Sequence, residues 1–191
     1  GPNEIRPLSL ATEPNIAVIT NIGASHLEHL QDLEGVYREK INITAGLQEG
    51  GLLIVNADDP HLSRVRSTKR YKVMTFGIRR GILKPENLKF DENACASFRI
   101  GRVEYHLNVP GIHNVYNALA AIAVGESLRI PKTEIAKALD AFAATGMRME
   151  IRNAFGFRVV SDCYNANPSS TRMALQTIGN LSNANHRIAV L

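Results

Sequence analysis

Short apolar runs alternate with a segment of helical periodicity along the first half of the chain. Residues 16–22, 52–56 and 72–76 are rich in β-branched and aliphatic side chains and are predicted to form buried strands. Residues 33–47 repeat their apolar positions at helical spacing and are predicted to form a helix between the first two strands. This order favours an α/β fold, with a sheet whose strands are joined by crossover helices.

The pattern changes at residues 79–110, where short polar and apolar alternations are typical of antiparallel strands. An alanine-rich helix is predicted from about residue 113 to about residue 128. A second helix should begin just after Pro131, with Thr133 as its candidate cap, and end near residue 142. This part of the chain therefore combines antiparallel strands with helices.

A domain boundary is predicted at residues 144–146. Residues 1–145 would form one domain, and residues 146–191 would begin a second. The second would contain a strand, a helix and the opening of another strand, at 157–161, 168–181 and 187–191. A unit of roughly 45 residues is too small to bury a core alone, so we expect it to lean on the first domain or on another chain. The apolar residues 187–191 would suit edge pairing with a second copy.

Composition and charge narrow the function only a little. The net charge of +4 suits an anionic ligand such as a nucleotide, but it also suits no particular partner. Aromatic residues make up 6% of the chain and do not alternate with basic clusters, so we expect no nucleic-acid surface. Cys95 and Cys163 lack metal-type spacing and favour a reducing, cytoplasmic setting. No apolar run approaches the roughly 20 residues of a membrane span.

Two candidate site residues lie early in the chain. His26 follows the first strand, at the edge of an α/β sheet where ligands usually bind, so it is either a metal ligand or a cap of the next segment. Lys40 shares the apolar stripe of the predicted helix, whereas Glu34 and Arg38 lie off it at the spacing of a surface ion pair. A buried lysine is costly unless it is paired or modified. Lys40 is therefore either carbamylated, which would let it bind magnesium, or extended toward solvent.

Further candidates follow residue 110. Asn114 and Asn117 are three residues apart at a helix start, so their amides share a face that suits an adenine edge. Asn114 alone would also serve as a helix cap. Arg148 follows the predicted boundary and would either reach phosphate oxygens across a cleft or pair with Glu150 on the surface.

The last group is the polar turn at residues 161–168, between a predicted strand and a predicted helix. Asp162 lies at the strand end and is placed to accept hydrogen bonds from a ribose. Asn165 and Asn167 precede a helix whose free N–H groups attract anions. An ordinary cap ahead of Pro168 would use the same residues.

Taken in order, five blocks of the sequence resemble the Mur ligase family, which comprises the amide-forming ATP enzymes of peptidoglycan synthesis and the related folylpolyglutamate synthases. The blocks are TNIGASHLE, the Lys40 helix, GIHNVYNALAA, GMRME and DCYNANP. The resemblance implies a central domain with a mixed, mostly parallel sheet and the start of a Rossmann-like C-terminal domain. DCYNANP is the most specific block. It is similar to the branch that joins D-Ala-D-Ala to UDP-N-acetylmuramoyl-tripeptide, which usually carries Ser at the position of Cys163.

The resemblance also implies a role for each candidate residue. The roles are magnesium ligands for His26 and carbamylated Lys40, adenine contacts for Asn114 and Asn117, phosphate contacts for Arg148, a ribose contact for Asp162, and dipeptide contacts for Tyr164, Asn165 and Asn167. ATP would activate a peptide carboxylate as an acyl phosphate, which the dipeptide amine then attacks with loss of phosphate. The catalytic residues would be Lys40 and Arg148, because the reaction depends on neutralising and positioning two anions.

Several parts expected of this family do not occur in the sequence. No Gly-rich turn ending in Gly-Lys-Thr or Gly-Lys-Ser is present, nor is the magnesium-binding glutamate expected just upstream of residues 3–8. We therefore expect a piece of a longer ligase that is inactive alone, with Gly1-Pro2 either a tag remnant or natural sequence. Two alternatives stay open: another amide ligase of the folylpolyglutamate or cyanophycin synthetase type, and a non-catalytic binding module with the same fold.

Overall fold

The computed structural model describes residues 2–24, 30–144, 146–181 and 186–190. The chain divides into two compact units, one made of Gly1–Lys84 and Leu119–Arg129 and the other of Pro85–Ala118 and Ile130–Leu191. Parallel and antiparallel strands occur together with helices, which confirms the α/β fold class. The domain boundary at residues 144–146 stays a prediction. In the described part of the chain, no helix is long and apolar enough to cross a bilayer.

A parallel sheet forms the centre of the first unit. Its strands lie side by side in sequence order: β1 (Ile16–Ile19), β2 (Gly51–Asn56) and β3 (Tyr71–Phe76). β2 is the middle strand, and its Leu53, Ile54 and Val55 are completely buried, which accounts for the continuous apolar run in the sequence. The three predicted strands are confirmed, except that β1 ends at Ile19 rather than at residue 22.

The helix α1 (Ile5–Thr12) precedes the sheet and has no counterpart among the predicted elements. Its Ser9 is buried, and Ser9 Oγ accepts the N–H of Gly46 at 3.0 Å while donating to the carbonyl of Ile43. These bonds hold residues 43–46 against α1.

The helix α2 spans Leu33–Ile41 and begins where Oδ1 of Asp32 accepts the N–H of Gly35 at 2.7 Å. It is followed by a tighter 3-10 turn at Asn42–Ala45. The predicted helix over residues 33–47 is therefore too long. The bonds to α1 take up the backbone groups that would continue the α-helix.

The N-terminus of α1 is capped by a residue of α2. Oε2 and Oε1 of Glu39 accept the N–H groups of Asn3 at 2.8 Å and of Ile5 at 2.9 Å. Burial raises the pKa of the Glu39 carboxyl, but the backbone N–H groups of α1 lower it more, so the pKa lies below its ordinary value. The ionised carboxylate thus holds the first turn of α1.

An antiparallel sheet in the second unit confirms the prediction for residues 79–110. Its strands, in sequence order, are β4 (Glu86–Phe90), β5 (Cys95–Ile100) and β6 (Val103–Pro110). Phe98 of β5 and Tyr105 of β6 stack with their ring centroids 5.5 Å apart, and both side chains are buried. This pair is among the largest fully buried side chains of the protein.

Two helices follow β6: α3 (Ile112–Ser127) and α4 (Lys132–Asp140), of which α4 packs against β6. Both confirm the predicted helices, with ends that differ by a few residues. The prediction that Thr133 caps α4 is wrong. The helix already begins at Lys132, so Thr133 lies inside it, and the cap position belongs to Pro131 with no side-chain bond.

A β-hairpin begins the C-terminal part, made of β7 (Glu150–Ala154) and β8 (Phe157–Ser161). The sequence patterns predict β8 but not β7. Phe155 and Gly156 form the turn, and their positive φ angles of 52° and 78° match a type I′ turn, whose twist suits the two strands.

The last helix, α5 (Pro168–Asn180), confirms the predicted helix. The strand predicted at 187–191 is wrong over its described residues, which form no strand. Arg187 Nε donates to the carbonyl of Ile178 at 3.0 Å, and Val190 is exposed. A strand needs a neighbouring strand for its backbone groups, and no described strand pairs with this segment.

Candidate functional site

The loop after β1 brings part of the first candidate site together. Lys40 Nζ donates a hydrogen bond to the carbonyl oxygen of Asn21 at 2.8 Å. The half-buried side chain thus bonds to backbone instead of extending toward solvent. Burial lowers the pKa of Lys40 below its ordinary value, and the negative charge of Asp59 opposes this shift. His26, the other predicted residue of this site, lies outside the described residues.

The predicted ion pair between Glu34 and Arg38 is wrong. Arg38 Nε donates to the backbone carbonyl of Glu34 at 3.4 Å. The Glu34 carboxylate instead lies 3.1 Å from Arg64 and 3.3 Å from His61, because a 3-10 turn at Leu62–Arg64 brings both side chains to this face of α2. The hydrogen bond from Arg64 is the main reason that the pKa of Glu34 lies below its ordinary value.

Asp59 is a carboxylate beside the Lys40 site that the sequence patterns treat only as part of a turn. It is 8% exposed and accepts three backbone N–H groups, those of Ile22 at 2.7 Å, His61 at 2.9 Å and Leu62 at 3.1 Å. The one sequence signal for it is an Asp at the carboxyl end of a buried strand, where α/β proteins place functional groups.

A magnesium site is not complete among the residues that the structure describes. Within this part of the chain, no three His, Cys, Asp or Glu side chains converge as metal ligands do. An unmodified lysine amine is a poor magnesium ligand, because magnesium prefers oxygen. Magnesium binding by His26 and Lys40 therefore stays a prediction.

The turn between β6 and α3 begins the second candidate site. Gly111 has φ of +98°, and a Cβ at this position would lie 2.6 Å from Cε1 of His113 and 2.8 Å from Oγ1 of Thr177. Only glycine fits here. The turn at Gly111 therefore lies close to both His113 and α5.

Asn114 and Asn117 lie on one face of α3, as their spacing predicts. Asn117 Nδ2 donates to Asn114 Oδ1 at 3.2 Å, and Asn114 Nδ2 donates to the carbonyl of Pro110 at 2.8 Å. The alternative that Asn114 only caps the helix is wrong, because α3 begins at Ile112 and Asn114 lies in its first turn. The two amides form a connected pair.

His113 lies next to this amide pair. Its Nε2 is 3.2 Å from Asn114 Nδ2, whereas its buried Nδ1 has no hydrogen-bond partner among the described residues. Burial lowers the pKa of His113, and the carboxylate of Asp162 opposes the shift. The histidine is therefore held largely neutral.

Arg148 precedes β7 and Asp162 follows β8, so both lie at the open end of the hairpin, where Glu150 pairs with Ser161. Asp162 Oδ1 accepts the N–H of Met149 at 3.1 Å. The exposed Arg148 guanidinium lies 4.1 Å from the ring centre of Tyr164. The alternative of an Arg148–Glu150 contact is wrong, because Glu150 pairs with Arg152 at 2.8 Å.

Asn167 is a helix cap. Its Oδ1 accepts the N–H of Ser170 at 2.9 Å, and Ser170 Oγ accepts the N–H of Asn167 at 3.0 Å, which together form a capping box. The alternative reading of this turn as an ordinary cap is thus confirmed for Asn167. Asn165 is exposed. Contacts of Tyr164, Asn165 and Asn167 with a dipeptide stay predictions.

Comparison with known proteins identifies the class. Residues 1–125 match the family model of the Mur ligase middle domain. This match covers more than half of the chain, which therefore belongs to the Mur ligase family, as the five sequence blocks indicate.

Two relatives and one solved structure show which members of the family this chain is similar to. The UDP-N-acetylmuramoyl-tripeptide–D-alanyl-D-alanine ligase of Bacillus subtilis is 37% identical over 98% of this chain and 41% of its own length. The UDP-N-acetylmuramate–L-alanine ligase of Clostridium acetobutylicum is 34% identical over 87% of this chain and 38% of its own length. A crystal structure of MurF from Acinetobacter baumannii is similar with a TM-score of 0.88 and 28% identity, over 95% of this chain and 41% of that one. This chain thus spans about two fifths of each relative.

Proposed function

We propose that this chain is part of an ATP-dependent ligase that adds D-Ala-D-Ala to UDP-N-acetylmuramoyl-tripeptide in peptidoglycan synthesis. The observation that carries the proposal is 37% identity over 98% of the chain with the Bacillus subtilis ligase of that name. The turn at residues 162–168, DCYNANP, supports the same branch. We place the reaction in the cytoplasm, where ATP is available.

In this proposal, ATP transfers its terminal phosphoryl group to the peptide carboxylate. The amine of the dipeptide then attacks the acyl carbon, loses a proton and releases phosphate as the amide bond forms. Most of the catalysis consists of positioning the reactants and neutralising their charge.

The second candidate site offers groups suited to a nucleotide. In the connected amide pair, the Asn114 N–H groups face Pro110 and His113, so Asn117 would supply the donor and the acceptor for the adenine edge, with Asn114 holding it in place. One carboxylate oxygen of Asp162 accepts the N–H of Met149, and the other would accept a hydrogen bond from a ribose hydroxyl. Arg148 would bind phosphate oxygens, with the Tyr164 ring orienting its guanidinium plane. Tyr164, Asn165 and Asn167 would border the incoming dipeptide.

Lys40 would act as a carbamate. Its neutral amine adds to carbon dioxide and releases one proton, which leaves an anion with two oxygens. Burial lowers the pKa of Lys40 and so favours the neutral amine that this step needs. The carbamate oxygens and His26 would hold magnesium, which supplies positive charge for the phosphate oxygens.

Substitution and rescue test this role of Lys40. In the full-length ligase, Lys40→Ala should abolish most turnover, and acetate or formate should restore part of it by supplying the missing carboxylate. Lys72→Ala, at an exposed position of β3, is the control and should need no rescue. A Lys40→Ala enzyme that short carboxylates do not restore would contradict the carbamate.

A second candidate function is ligation of L-alanine to UDP-N-acetylmuramate, which the 34% identity to the Clostridium acetobutylicum ligase favours. Phosphate release by the full-length protein separates the two. The tripeptide precursor with D-Ala-D-Ala should release phosphate from ATP, whereas UDP-N-acetylmuramate with L-alanine should not. Glutamate with a folate acceptor tests the remaining branch, and release with either of these pairs alone would overturn the proposal.

A further inference from the structure

We propose that Asp59 is a positioning residue for Lys40, acting through the single peptide group that joins Asn21 to Ile22. The inference rests on the proposed function in treating Lys40 as a residue of the active site. Its geometry concerns only the first compact unit.

The peptide group between Asn21 and Ile22 makes a hydrogen bond through its N–H and another through its carbonyl. Its N–H, which belongs to Ile22, donates to Asp59 Oδ2 at 2.7 Å. Its carbonyl, which belongs to Asn21, accepts from Lys40 Nζ at 2.8 Å. A trans peptide is planar, and its N–H and C=O point in opposite directions. The bond to Asp59 therefore fixes the direction of the carbonyl that holds Lys40.

Asp59 is itself firmly held. It is 8% exposed, and its carboxylate also accepts the N–H groups of His61 at 2.9 Å and Leu62 at 3.1 Å. A buried carboxylate is tolerated only when it is well bonded, and three donors leave it little freedom to turn. Bonds in series also polarise one another, so the Asn21 carbonyl becomes a better acceptor for Lys40.

The segment that begins with Asp59 also contacts the helix that carries Lys40. Arg64 lies 3.1 Å from the Glu34 carboxylate and 5.5 Å from the ring centre of Tyr37, both on α2. Each exposed contact is weak alone. Together they place residues 59–64 against α2 and also against the loop that follows β1. The distance between that loop and α2 determines whether Lys40 can reach the Asn21 carbonyl.

The neighbouring Asp58 provides a matched control. Its carboxylate also accepts three backbone N–H groups, those of Ile78 at 2.7 Å and of Arg79 and Arg80 at 2.9 Å each. These donors lie in the turn after β3 and not in the loop that holds Lys40. Asp58→Asn and Asp59→Asn therefore make the same chemical change at adjacent positions, but the two carboxylates hold different loops.

Kinetics of the full-length ligase test the proposal. Asp59→Asn should lower kcat roughly 10- to 100-fold, as loss of a supporting carboxylate does at other sites, with the KM for ATP changed less than about twofold. Asp58→Asn should keep kcat within about threefold of the parent while losing comparable thermal stability. The double variant Asp59→Asn/Lys40→Ala should be no slower than Lys40→Ala alone, because Asp59 acts through Lys40. Additive losses, or an equal kcat loss in Asp58→Asn, would overturn the proposal.

Amide hydrogen exchange in the 191-residue chain gives a readout that needs no substrate. The Ile22 amide should be protected to within about tenfold of the Ile78 amide, and Asp59→Asn should accelerate its exchange at least about tenfold. If Asp59→Asn does not fold, the exchange rate of the Ile22 amide in the unaltered chain tests the proposal instead. An Ile22 amide that exchanges as fast as in an unstructured peptide overturns it. A parent protein that fails to ligate D-Ala-D-Ala would count against the proposed function alone.

Discussion

The capping box at the start of α5 permits a quantitative prediction for Asn167. Alanine at this position removes the bond to the Ser170 N–H at 2.9 Å. It leaves the reciprocal bond, in which Ser170 Oγ accepts the N–H of residue 167 at 3.0 Å. One cap bond is therefore lost, at a cost of about 1 kcal/mol in the free energy of unfolding. For a chain of this size that cost lowers the Tm by about 2–4 °C.

Thermal unfolding of the 191-residue chain, followed by circular dichroism, measures this effect. Asn167→Ser keeps a cap oxygen and should melt within about 1 °C of the parent, since serine and asparagine cap almost equally well. Asn165→Ala, at an exposed position, is the control and should leave the Tm unchanged. An Asn167→Ala chain that melts with the parent would refute the capping argument.

The same variants separate capping from dipeptide recognition. If Asn167 only caps α5, the full-length Asn167→Ser ligase keeps its KM for D-Ala-D-Ala. If Asn167 also contacts the dipeptide, as we propose, this variant keeps its Tm but raises that KM. An unchanged KM in the serine variant would remove Asn167 from the substrate site.

Three further predictions concern titratable groups. Glu39→Gln should lower the free energy of unfolding by about 1–3 kcal/mol at pH 7, because it weakens charged bonds to α1. The pKa of Glu39 is lowered in the folded state, so Glu39 stabilises the fold above about pH 4.5, and this stabilisation is lost as pH falls through the folded pKa. Urea unfolding of the parent and of Glu39→Gln at pH 7 and pH 3 checks this. An equal difference in unfolding free energy between the two proteins at both pH values would contradict it. The lowered pKa of His113 predicts stability that falls as pH drops below about 6.5, and His113→Gln should lose this dependence in urea midpoints at pH 7.5 and 5.5. Burial raises the pKa of Cys95 to about 11, so iodoacetamide at pH 8 should modify only the exposed Cys163 in a mass spectrum, and rapid labelling of Cys95 would argue against its burial.

The sequence predicts those parts of the fold whose signals are local. Continuous apolar runs mark β1, β2 and β3 because a parallel sheet buries both of its faces. The helix α1 escapes prediction because its cap, Glu39, lies 34 residues beyond Ile5. β7 escapes because its hairpin turn uses Phe155 and Gly156 rather than an Asn-Gly pair. The wrong strand at 187–191 shows that apolar composition alone does not supply a pairing partner.

In the candidate site, too, only the residues with a local signal can be predicted from the sequence. Helical spacing is enough to predict that Asn114 and Asn117 meet. Asp59 is not predictable in this way, because its role depends on a peptide group 37 residues earlier in the chain. The stacking of Arg148 on Tyr164 depends on the return of the chain through an unpredicted hairpin. Long-range contacts decide which polar residues act together.

The mass of the product formed by the full-length protein distinguishes ligation of D-Ala-D-Ala from ligation of L-alanine. The enzyme would be given ATP, UDP-N-acetylmuramoyl-tripeptide, UDP-N-acetylmuramate, D-Ala-D-Ala and L-alanine in one reaction. We expect a single nucleotide product, the tripeptide precursor extended by D-Ala-D-Ala, together with ADP and phosphate. A product consisting of UDP-N-acetylmuramate joined to L-alanine, or no ATP-dependent product at all, would contradict it.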